Sequence, residues 1–167
     1  TGGVGLLVEG ARTNSALRSE ELDNAAWTNS VSGAGNPTTT ANAAVAPDGT
    51  VTAERIQFPA ATSLQYTTRA QLSITPANRV ASIFVKGNGE SGTIYVLTAG
   101  TNFHCAVCNY NPDTWVRCAT TTATTAQTNF HVGSDPSDCG GGNQPAKDVF
   151  LWGAQAEIGA FASSYIK

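Results

Sequence analysis

The chain is a series of short runs in which apolar and polar residues alternate, with Thr and Gly frequent throughout. Alternation with a period of two is typical of β-strands, and Pro47-Asp48-Gly49 and Asn111-Pro112-Asp113 are turn-forming breaks between runs. The pattern predicts ten strands, at residues 4–8, 39–45, 52–58, 64–69, 80–86, 93–98, 103–110, 115–122, 128–132 and 149–157.

Helical periodicity is nearly absent from the sequence. The longest helical candidate, residues 19–27, is interrupted by Asp23-Asn24 and is equally consistent with an irregular link. Many short strands separated by turns are typical of an all-β sandwich. We therefore predict an all-β domain, an antiparallel β-sandwich of about eight to ten strands.

Residues 103–122 are predicted to form a β-hairpin in which Cys108 lies opposite Trp115 and Cys105 opposite Cys118. The face expected to meet the core holds Phe103, Cys105, Val107, Val116 and Cys118. The other face is more polar and is expected to meet solvent or a ligand. It holds His104, Ala106, Cys108, Tyr110, Trp115 and Arg117.

The four cysteines are spaced C-x2-C-x9-C-x20-C, which fits neither a zinc site with two close pairs nor a redox motif that opens a helix. Cys105 and Cys118 are either a bridge across the hairpin or two packed thiols. Residues 135–145 are expected to form a long surface loop, which a bridge from Cys108 to Cys139 would anchor. A less favoured alternative is a tetrahedral metal site made by His104, Cys108, His131 and Cys139.

Composition narrows the possible functions. Of the 167 residues, 13% are charged and 41% are hydrophobic, which favours a folded domain over a disordered chain. The nine Lys and Arg residues are dispersed and the net charge is −3, so neither nucleic acid nor a membrane is an expected partner. The length fits one domain, and the absence of Met leads us to expect that residues 1–167 were cut from a longer chain.

No catalytic constellation is evident, so we expect a protein that is not an enzyme. His104 and His131 are the only candidate histidine bases, and neither a nucleophile elbow nor a phosphate-binding loop occurs. Some carboxylates could approach one another as glycoside hydrolysis requires, but they are more simply solvated surface groups. These are Glu90, Asp113, Asp148 and Glu157.

Aromatic residues support a better hypothesis than catalysis. Flat rings beside amide, hydroxyl and guanidinium groups can stack on sugars and hydrogen-bond their hydroxyls. Trp115, Tyr110 and Tyr95 are the candidate stacking surfaces, and Arg117 is the candidate hydrogen-bond donor. The competing interpretation is that these rings only pack in the core or at strand edges.

Several motifs, taken in order, resemble one family over the whole chain. They are Gly5-Leu6-Leu7-Val8-Glu9-Gly10-Ala11-Arg12-Thr13-Asn14, then Pro47-Asp48-Gly49, then Trp115-Val116-Arg117-Cys118, then Leu151-Trp152-Gly153-Ala154-Gln155-Ala156-Glu157. This order resembles a domain widespread in bacteriophage virion proteins such as tail fibres and tail spikes. That domain is similar to the jelly-roll β-sandwiches of carbohydrate-binding modules.

The resemblance implies a non-catalytic jelly roll on the virion surface, outside cells, that binds host or environmental glycans through several copies. The alternative is a purely structural virion domain, for capsid decoration or tail assembly, that contacts other virion proteins or further copies of itself. No cofactor is required, but the resemblance implies a structural calcium held by Glu9 and Glu157 where the first and last strands meet. An ion pair of Glu9 with Arg12 is the simpler alternative.

Overall fold

The computed structural model describes residues 11–167, and the predicted strand at residues 4–8 lies outside this part of the chain. The described part contains ten strands and one short helix. They are β1 (Thr28–Ser32), β2 (Thr38–Ala44), β3 (Ala53–Phe58), β4 (Tyr66–Gln71), β5 (Arg79–Gly87), β6 (Gly92–Gly100), β7 (Phe103–Tyr110), β8 (Val116–Ala119), β9 (Gln127–Ser134), α1 (Pro136–Cys139) and β10 (Lys147–Ile158).

The strands form two five-stranded sheets that pack face to face. Sheet A has the order β1-β4-β9-β6-β7, and sheet B has the order β2-β3-β10-β5-β8. Every pairing between these strands is antiparallel. The predicted all-β, antiparallel sandwich is therefore confirmed. None of the described helices is long and apolar enough to span a membrane.

The core lies between the two sheets and is built by every second residue of the central strands. The Trp27 ring meets the Phe130 ring edge-on, with centroids 5.4 Å apart. Sheet B contributes Ile56, Ile83 and Leu151, which are fully buried. Burying one such side chain contributes roughly 1.5–3 kcal/mol, so these alternating positions stabilise the sandwich and define which face of each strand is inside.

The structure decides between the alternatives for residues 19–27 and adds a strand that was not predicted. Residues 19–27 form successive turns, which agrees with the irregular link and not with a helix. Strand β1, with the sequence Thr-Asn-Ser-Val-Ser, was not predicted, because an edge strand with a single apolar residue lacks the alternation that marks the others. It is held by backbone pairing with β4 instead.

The predicted hairpin at residues 103–122 is wrong. Strand β7 pairs with β6 in sheet A, whereas β8 pairs with β5 in sheet B. The connection between them crosses from one sheet to the other, at a turn in which the Asn111 side chain accepts hydrogen bonds from the backbone N–H groups of Asp113 and Thr114, each at 2.9 Å. The two strands are edges of opposite sheets at the same side of the sandwich.

All four cysteines form disulfide bonds, with different partners from those considered. Cys108 is bonded to Cys118, with Cα atoms 5.8 Å apart, and this bridge joins the two sheets. Cys105 is bonded to Cys139 and fastens the segment after β9 to strand β7. The pairs Cys105–Cys118 and Cys108–Cys139 are thus both wrong, because they assumed that β7 and β8 are neighbours in one sheet. Both bridges also exclude the alternative metal site, which required free thiols at Cys108 and Cys139.

Candidate functional site

The outer face of sheet A is the surface on which we place the candidate site. Core residues such as Val96 and Phe130 fix the inward positions, and the paired registers then identify the residues that face outward. From β1 to β7 these include Thr28, Ser30, Ser32, Tyr66, Thr68, Ala70, Asn129, His131, Gly133, Tyr95, Leu97, Ala99, Phe103, Cys105 and Val107. The face therefore combines hydroxyl and amide groups on one side with an apolar border on the other.

His131 lies near the centre of this face and is oriented by its neighbour Thr68. The Thr68 hydroxyl donates to the carbonyl of Ser30 at 3.1 Å and lies 3.2 Å from His131 Nδ1. Because a hydroxyl has one proton to donate, Thr68 accepts a hydrogen bond from Nδ1–H of the imidazole. The remaining nitrogen, Nε2, is then an acceptor, and its orientation is set by the fold.

Burial keeps the His131 ring uncharged. The residue is 9% exposed, and desolvation lowers its pKa to about 4. At neutral pH the outer face of sheet A thus presents a neutral hydrogen-bond acceptor with a fixed tautomer. Such a group suits an uncharged ligand rich in hydroxyl groups.

His131 lies between a small residue on one neighbouring strand, Ala70, and a large one on the other, Leu97. Ala70 pairs with His131 in the register of β4 and β9, and Gly133 follows His131 by two positions in β9. Gly133 has φ +151, and a Cβ there would collide with the backbone of Thr67 and the ring of Phe58. Because Phe58 belongs to the core between the sheets, a side chain at position 133 would point inward, and the chain is restricted to glycine at this point.

The segment after β9 forms a wall over the β6–β7 side of the face. Asp135 caps helix α1 by accepting hydrogen bonds from Asp138 N–H at 3.1 Å and Ser137 Oγ at 3.0 Å. Burial raises the pKa of Asp135 to about 6. Farther on, Gly141 lies directly against the Tyr95 hydroxyl. With Cys139 bonded to Cys105, the wall is attached to the sheet both by packing and covalently.

Two apolar side chains complete the border on strand β7. Phe103 is 51% exposed and Val107 is 57% exposed, although both belong to the same outward row as Cys105. A ring and an aliphatic side chain in these positions provide apolar surface at the end of a polar face. A phenyl ring that is half exposed is suited to stacking against the apolar side of a sugar.

The predicted ligand-binding residues do not converge on one surface. Tyr110 is 4% exposed and belongs to the core, where its hydroxyl donates to Glu90 at 3.2 Å, so its predicted place on an exposed face is wrong. Tyr95 does face outward, but the wall covers it and leaves it 3% exposed. The error in β7 has one cause, since the predicted register inverted the two faces of that strand.

Trp115 and Arg117 lie on the opposite side of the molecule, next to the outer face of sheet B. Arg117 donates to the carbonyl of Ser163 and to Ser82 Oγ, and its guanidinium lies 5.4 Å from the centre of the Phe84 ring. Trp115 is half-buried and packs against the aromatic cluster of sheet B. Their predicted role in ligand binding stays a prediction, while their role in packing is visible.

The outer face of sheet B is covered by the C-terminal segment, residues 159–167. The Tyr165 ring packs on Trp152 with centroids 4.5 Å apart, and the Trp152 indole donates to Thr52 Oγ1 at 2.9 Å. Trp152 is 3% exposed as a result. This aromatic surface is therefore used to hold the chain's own end.

The predicted calcium ligand Glu157 is occupied by hydrogen-bond donors. Its carboxylate accepts from Gln155 Nε2 at 2.7 Å, from Ser163 N–H at 2.6 Å and from Ser163 Oγ at 2.7 Å, and Arg12 lies 3.6 Å away. A carboxylate surrounded by donors and a guanidinium does not fit a cation. The other predicted ligand, Glu9, lies outside the described residues. Within residues 11–167, no group of three or more His, Cys, Asp and Glu residues is arranged to hold a metal ion.

Sequence reasoning considered His131 as a catalytic base or as a metal ligand and did not single out Thr68. A signal was present, because in Thr128-Asn129-Phe130-His131 the core position of Phe130 makes His131 an outward residue. The pairing of His131 with Thr68, which are 63 positions apart, depends on the sheet register and has no local signature.

Solved structures with a similar fold include several carbohydrate-binding modules. A family 11 carbohydrate-binding module of a cellulosomal cellulase of Clostridium thermocellum matches with a TM-score of 0.57 and 7% identity, over 95% of this chain and 100% of that one. A family 11 module from Clostridium thermocellum in complex with a β-1,3-1,4-mixed-linked tetrasaccharide matches with a TM-score of 0.52 and 9% identity, over 84% and 92% of the two chains.

A phage protein is also among the similar structures. The enzymatically active domain of bacteriophage CBA120 tailspike protein 4 matches with a TM-score of 0.50 and 16% identity, over 89% of this chain but only 21% of that one. At such identities the likeness establishes the β-sandwich fold alone. No protein-family model matches the sequence, and no curated protein matches it.

Proposed function

We propose that this chain is a non-catalytic glycan-binding module whose ligand lies across the outer face of sheet A. The observation that carries the proposal is the oriented, neutral His131 acceptor, which lies between Ala70 and Leu97 beside a disulfide-fastened wall. Sugar recognition needs such a preformed shallow surface with a few fixed polar groups and an adjacent apolar ring, here supplied by Phe103. The fold shared with carbohydrate-binding modules supports this proposal.

The proposal extends to location. Two disulfide bonds are typical of proteins that work in an oxidising environment, so we assign the domain to an extracellular or surface-exposed setting. The motif order that resembles phage virion proteins, together with the fold shared with a tailspike domain, supports a place in a virion tail fibre or tail spike. Several copies in such an assembly would convert a weak single site into strong attachment.

The test is a glycan array with the multivalently displayed domain, followed by calorimetric titration of the best ligand. We expect His131→Ala to weaken binding by about tenfold, because removing one hydrogen bond of this kind costs on the order of 1 kcal/mol. Phe103→Ala should weaken binding as well, through loss of ring stacking. Phe103 is half exposed, so its variant should keep the wild-type fold. Because His131 is buried, thermal unfolding of His131→Ala is compared with that of the wild type before the binding data are interpreted.

Trp115→Ala is the matched control, because it removes an aromatic ring from the other side of the sandwich. Binding should be unchanged in this variant. Loss of binding in Trp115→Ala, with His131→Ala unaffected, would instead assign the ligand to the side that carries Trp115 and Arg117. An array without hits, obtained with folded and multivalent protein, would contradict glycan binding.

A second candidate function is protein–protein contact within a virion. It is favoured by the exposed Phe103 and Val107, which lie on β7, an edge strand of sheet A among the described residues. Analytical ultracentrifugation distinguishes the two functions. A stable oligomer that dissociates in the Phe103→Ser, Val107→Ser double variant would favour the structural role, whereas a monomer that binds glycans would favour the module.

A further inference from the structure

A cavity of about 370 Å³ lies at the end of the sandwich where β3 ends and β10 begins. Its size is typical of sites for small molecules, which occupy about 300–1,000 Å³. None of the residues that line it belongs to sheet A, so it is separate from the candidate glycan-binding face. The polar residues of the lining are Asn36, Thr38, Gln57, Glu90, Lys147 and Asp148.

Asp148 is already engaged by the protein. Arg55 donates to it from Nε at 2.8 Å and from a terminal nitrogen at 2.5 Å, and the Asn88 amide donates to it at 3.2 Å. The two bonds from Arg55 lower the pKa of Asp148 and balance its charge. Asp148 therefore shapes the cavity but has little capacity for an external ligand.

Glu90 has one carboxylate oxygen engaged and one free. Its Oε1 accepts from the backbone N–H of Asp148 at 2.7 Å and from the Tyr110 hydroxyl at 3.2 Å. Its Oε2 has no hydrogen-bond partner among residues 11–167. The two bonds to Oε1 fix the carboxylate, so Oε2 is an oriented acceptor in the lining of the cavity.

Lys147 is a buried donor in the same lining. It is 3% exposed, and Nζ donates to Gln144 Oε1 at 3.1 Å. An ammonium has three N–H donors, so two of them are left without a partner in the described part of the chain. Glu90 attracts this ammonium across space, but no ion pair joins the two groups. Because unpaired buried donors are costly, the cavity favours a ligand group that accepts from Lys147.

A hydroxyl group fits between Lys147 and Glu90, because it accepts one hydrogen bond and donates another. The rest of the lining adds the exposed amides of Asn36 and Gln57 and the half-buried ring of Pro59. Two positive and two negative groups balance at this end of the sandwich, since Arg55 is paired with Asp148. The cavity thus offers donors, acceptors and apolar surface without an excess of charge.

We propose that this cavity is a second binding site, which takes one uncharged sugar ring. Adjacent hydroxyl groups of such a ring can bind Lys147 and Glu90 together, while its apolar side contacts Pro59. An enclosed cavity suits a single ring, whereas the long outer face of sheet A suits a chain of sugars. The site stands on its own residues and does not depend on glycan binding by sheet A.

The test is an NMR titration of the whole isotope-labelled chain with free uncharged monosaccharides and with disaccharides that end in the same rings. At least one ring should shift the backbone amide signals of Gln57, Glu90 and Asp148, with a Kd of about 1 mM. Equal affinity for the disaccharide would identify the ligand as the end of a glycan, and binding of the monosaccharide alone would identify it as a free sugar. Absence of such shifts with every ring would overturn the proposal.

Variants assign the ring to this cavity. Glu90→Gln replaces the free acceptor by a donor and should weaken binding by about tenfold. Glu21→Gln is the matched control, because it removes one exposed carboxylate outside the cavity, and it should bind as the wild type does. If Glu90→Gln fails to fold, Gln57→Ala replaces it, since Gln57 is exposed and its variant should also bind more weakly.

His131→Ala separates this site from the one on sheet A. Binding of the ring should be unchanged in this variant. Loss of binding in His131→Ala, with Glu90→Gln and Gln57→Ala unaffected, would overturn the second site and leave the proposed function standing. Loss in the cavity variants alone, together with a glycan array without hits, would contradict the proposed function and support the second site.

Discussion

At the scale of single residues, burial determines the protonation of two polar groups on or beside the outer face of sheet A. His131 is held neutral by burial, and Asp135 has its pKa raised to about 6 by the same cause. The two shifts have opposite consequences for stability in acid. For Asp135 the folded state binds the proton more tightly, so this group favours folding as the pH falls below about 6.

His131 should make the protein less stable in mild acid. Its pKa is about 4 in the folded chain and near the ordinary 6.5 in the unfolded chain, so the unfolded state binds more protons between these values. Above pH 6.5 the ring is neutral in both states and does not reduce the free energy of unfolding. As the pH falls from 6.5 towards 4, this free energy decreases by roughly 3 kcal/mol in total. Urea denaturation at pH 7 and pH 4.5 measures this loss.

The comparison with His131→Gln isolates the contribution of this residue from that of the carboxyl groups. The variant should lose less stability than the wild type between the two pH values. His104→Gln is the matched control and should behave like the wild type. An equal loss in His131→Gln and in the wild type would contradict the assignment.

Residue-level prediction from the sequence succeeded where alternation alone decides the outcome. Arg117 and Cys118 do face outward and inward on β8, as expected. On β7 the same alternation was found but assigned to the wrong faces, so Tyr110 is in the core and Phe103 is outside. Alternation separates two sets of residues, but only the partner strands determine which set is buried.

At the scale of elements, the two disulfide bonds perform different tasks. Cys105–Cys139 fastens α1 and its loop to strand β7, and Cys108–Cys118 joins β7 to β8 across the sandwich. The bonded cysteines are 34 positions apart in the first bridge and 10 positions apart in the second. In the chain-entropy description each bridge stabilises the fold by roughly 3–4 kcal/mol.

Removing the bridges one at a time should give distinct results. The Cys105→Ser, Cys139→Ser variant should release the wall, which limited proteolysis and mass spectrometry would detect as cleavage within residues 135–145. The Cys108→Ser, Cys118→Ser variant should have a lower Tm without such cleavage. Residues 135–145 are fastened by the Cys105–Cys139 bond, which this variant keeps. Cleavage at the same sites in both variants, or in neither, would contradict this division.

The elements that sequence analysis found are those with strong local signals. The central strands β5 and β10 were predicted almost to their ends, because continuous apolar runs leave little choice of structure. Strand β1 and the crossing between β7 and β8 were missed. Both depend on contacts between residues distant in the sequence, and a short turn containing Pro112 is compatible either with a hairpin or with a change of sheet.

At the scale of the whole molecule, the C-terminal segment links the end of the chain to sheet B. Ser163 donates twice to the buried Glu157 carboxylate, Arg117 binds the Ser163 carbonyl, and Tyr165 covers Trp152. These contacts place polar and aromatic groups of one segment on the same sheet. The segment therefore behaves as part of the fold and not as a tail.

Deleting residues 159–167 should uncover Trp152 and leave the Glu157 carboxylate without its Ser163 donors. We expect a loss of stability of about 3 kcal/mol or more, combining exposure of an aromatic surface with a less satisfied buried charge. The measurements are urea denaturation and the tryptophan emission maximum, which should shift to longer wavelength. Deletion of Lys167 alone is the control and should change neither quantity greatly. An unchanged emission maximum in the longer deletion would contradict this account.

The position of the Cys108–Cys118 bridge gives the sandwich two unlike sides. Strands β7 and β8 end the two sheets on one side and are joined covalently, whereas β1 and β2 end them on the other with no such bond between them. The two sheets should therefore separate first on the side of β1 and β2, because the disulfide bond holds β7 and β8 together. When a pulling force acts on the chain, the bridged side keeps the sheets together and in register for rapid closure.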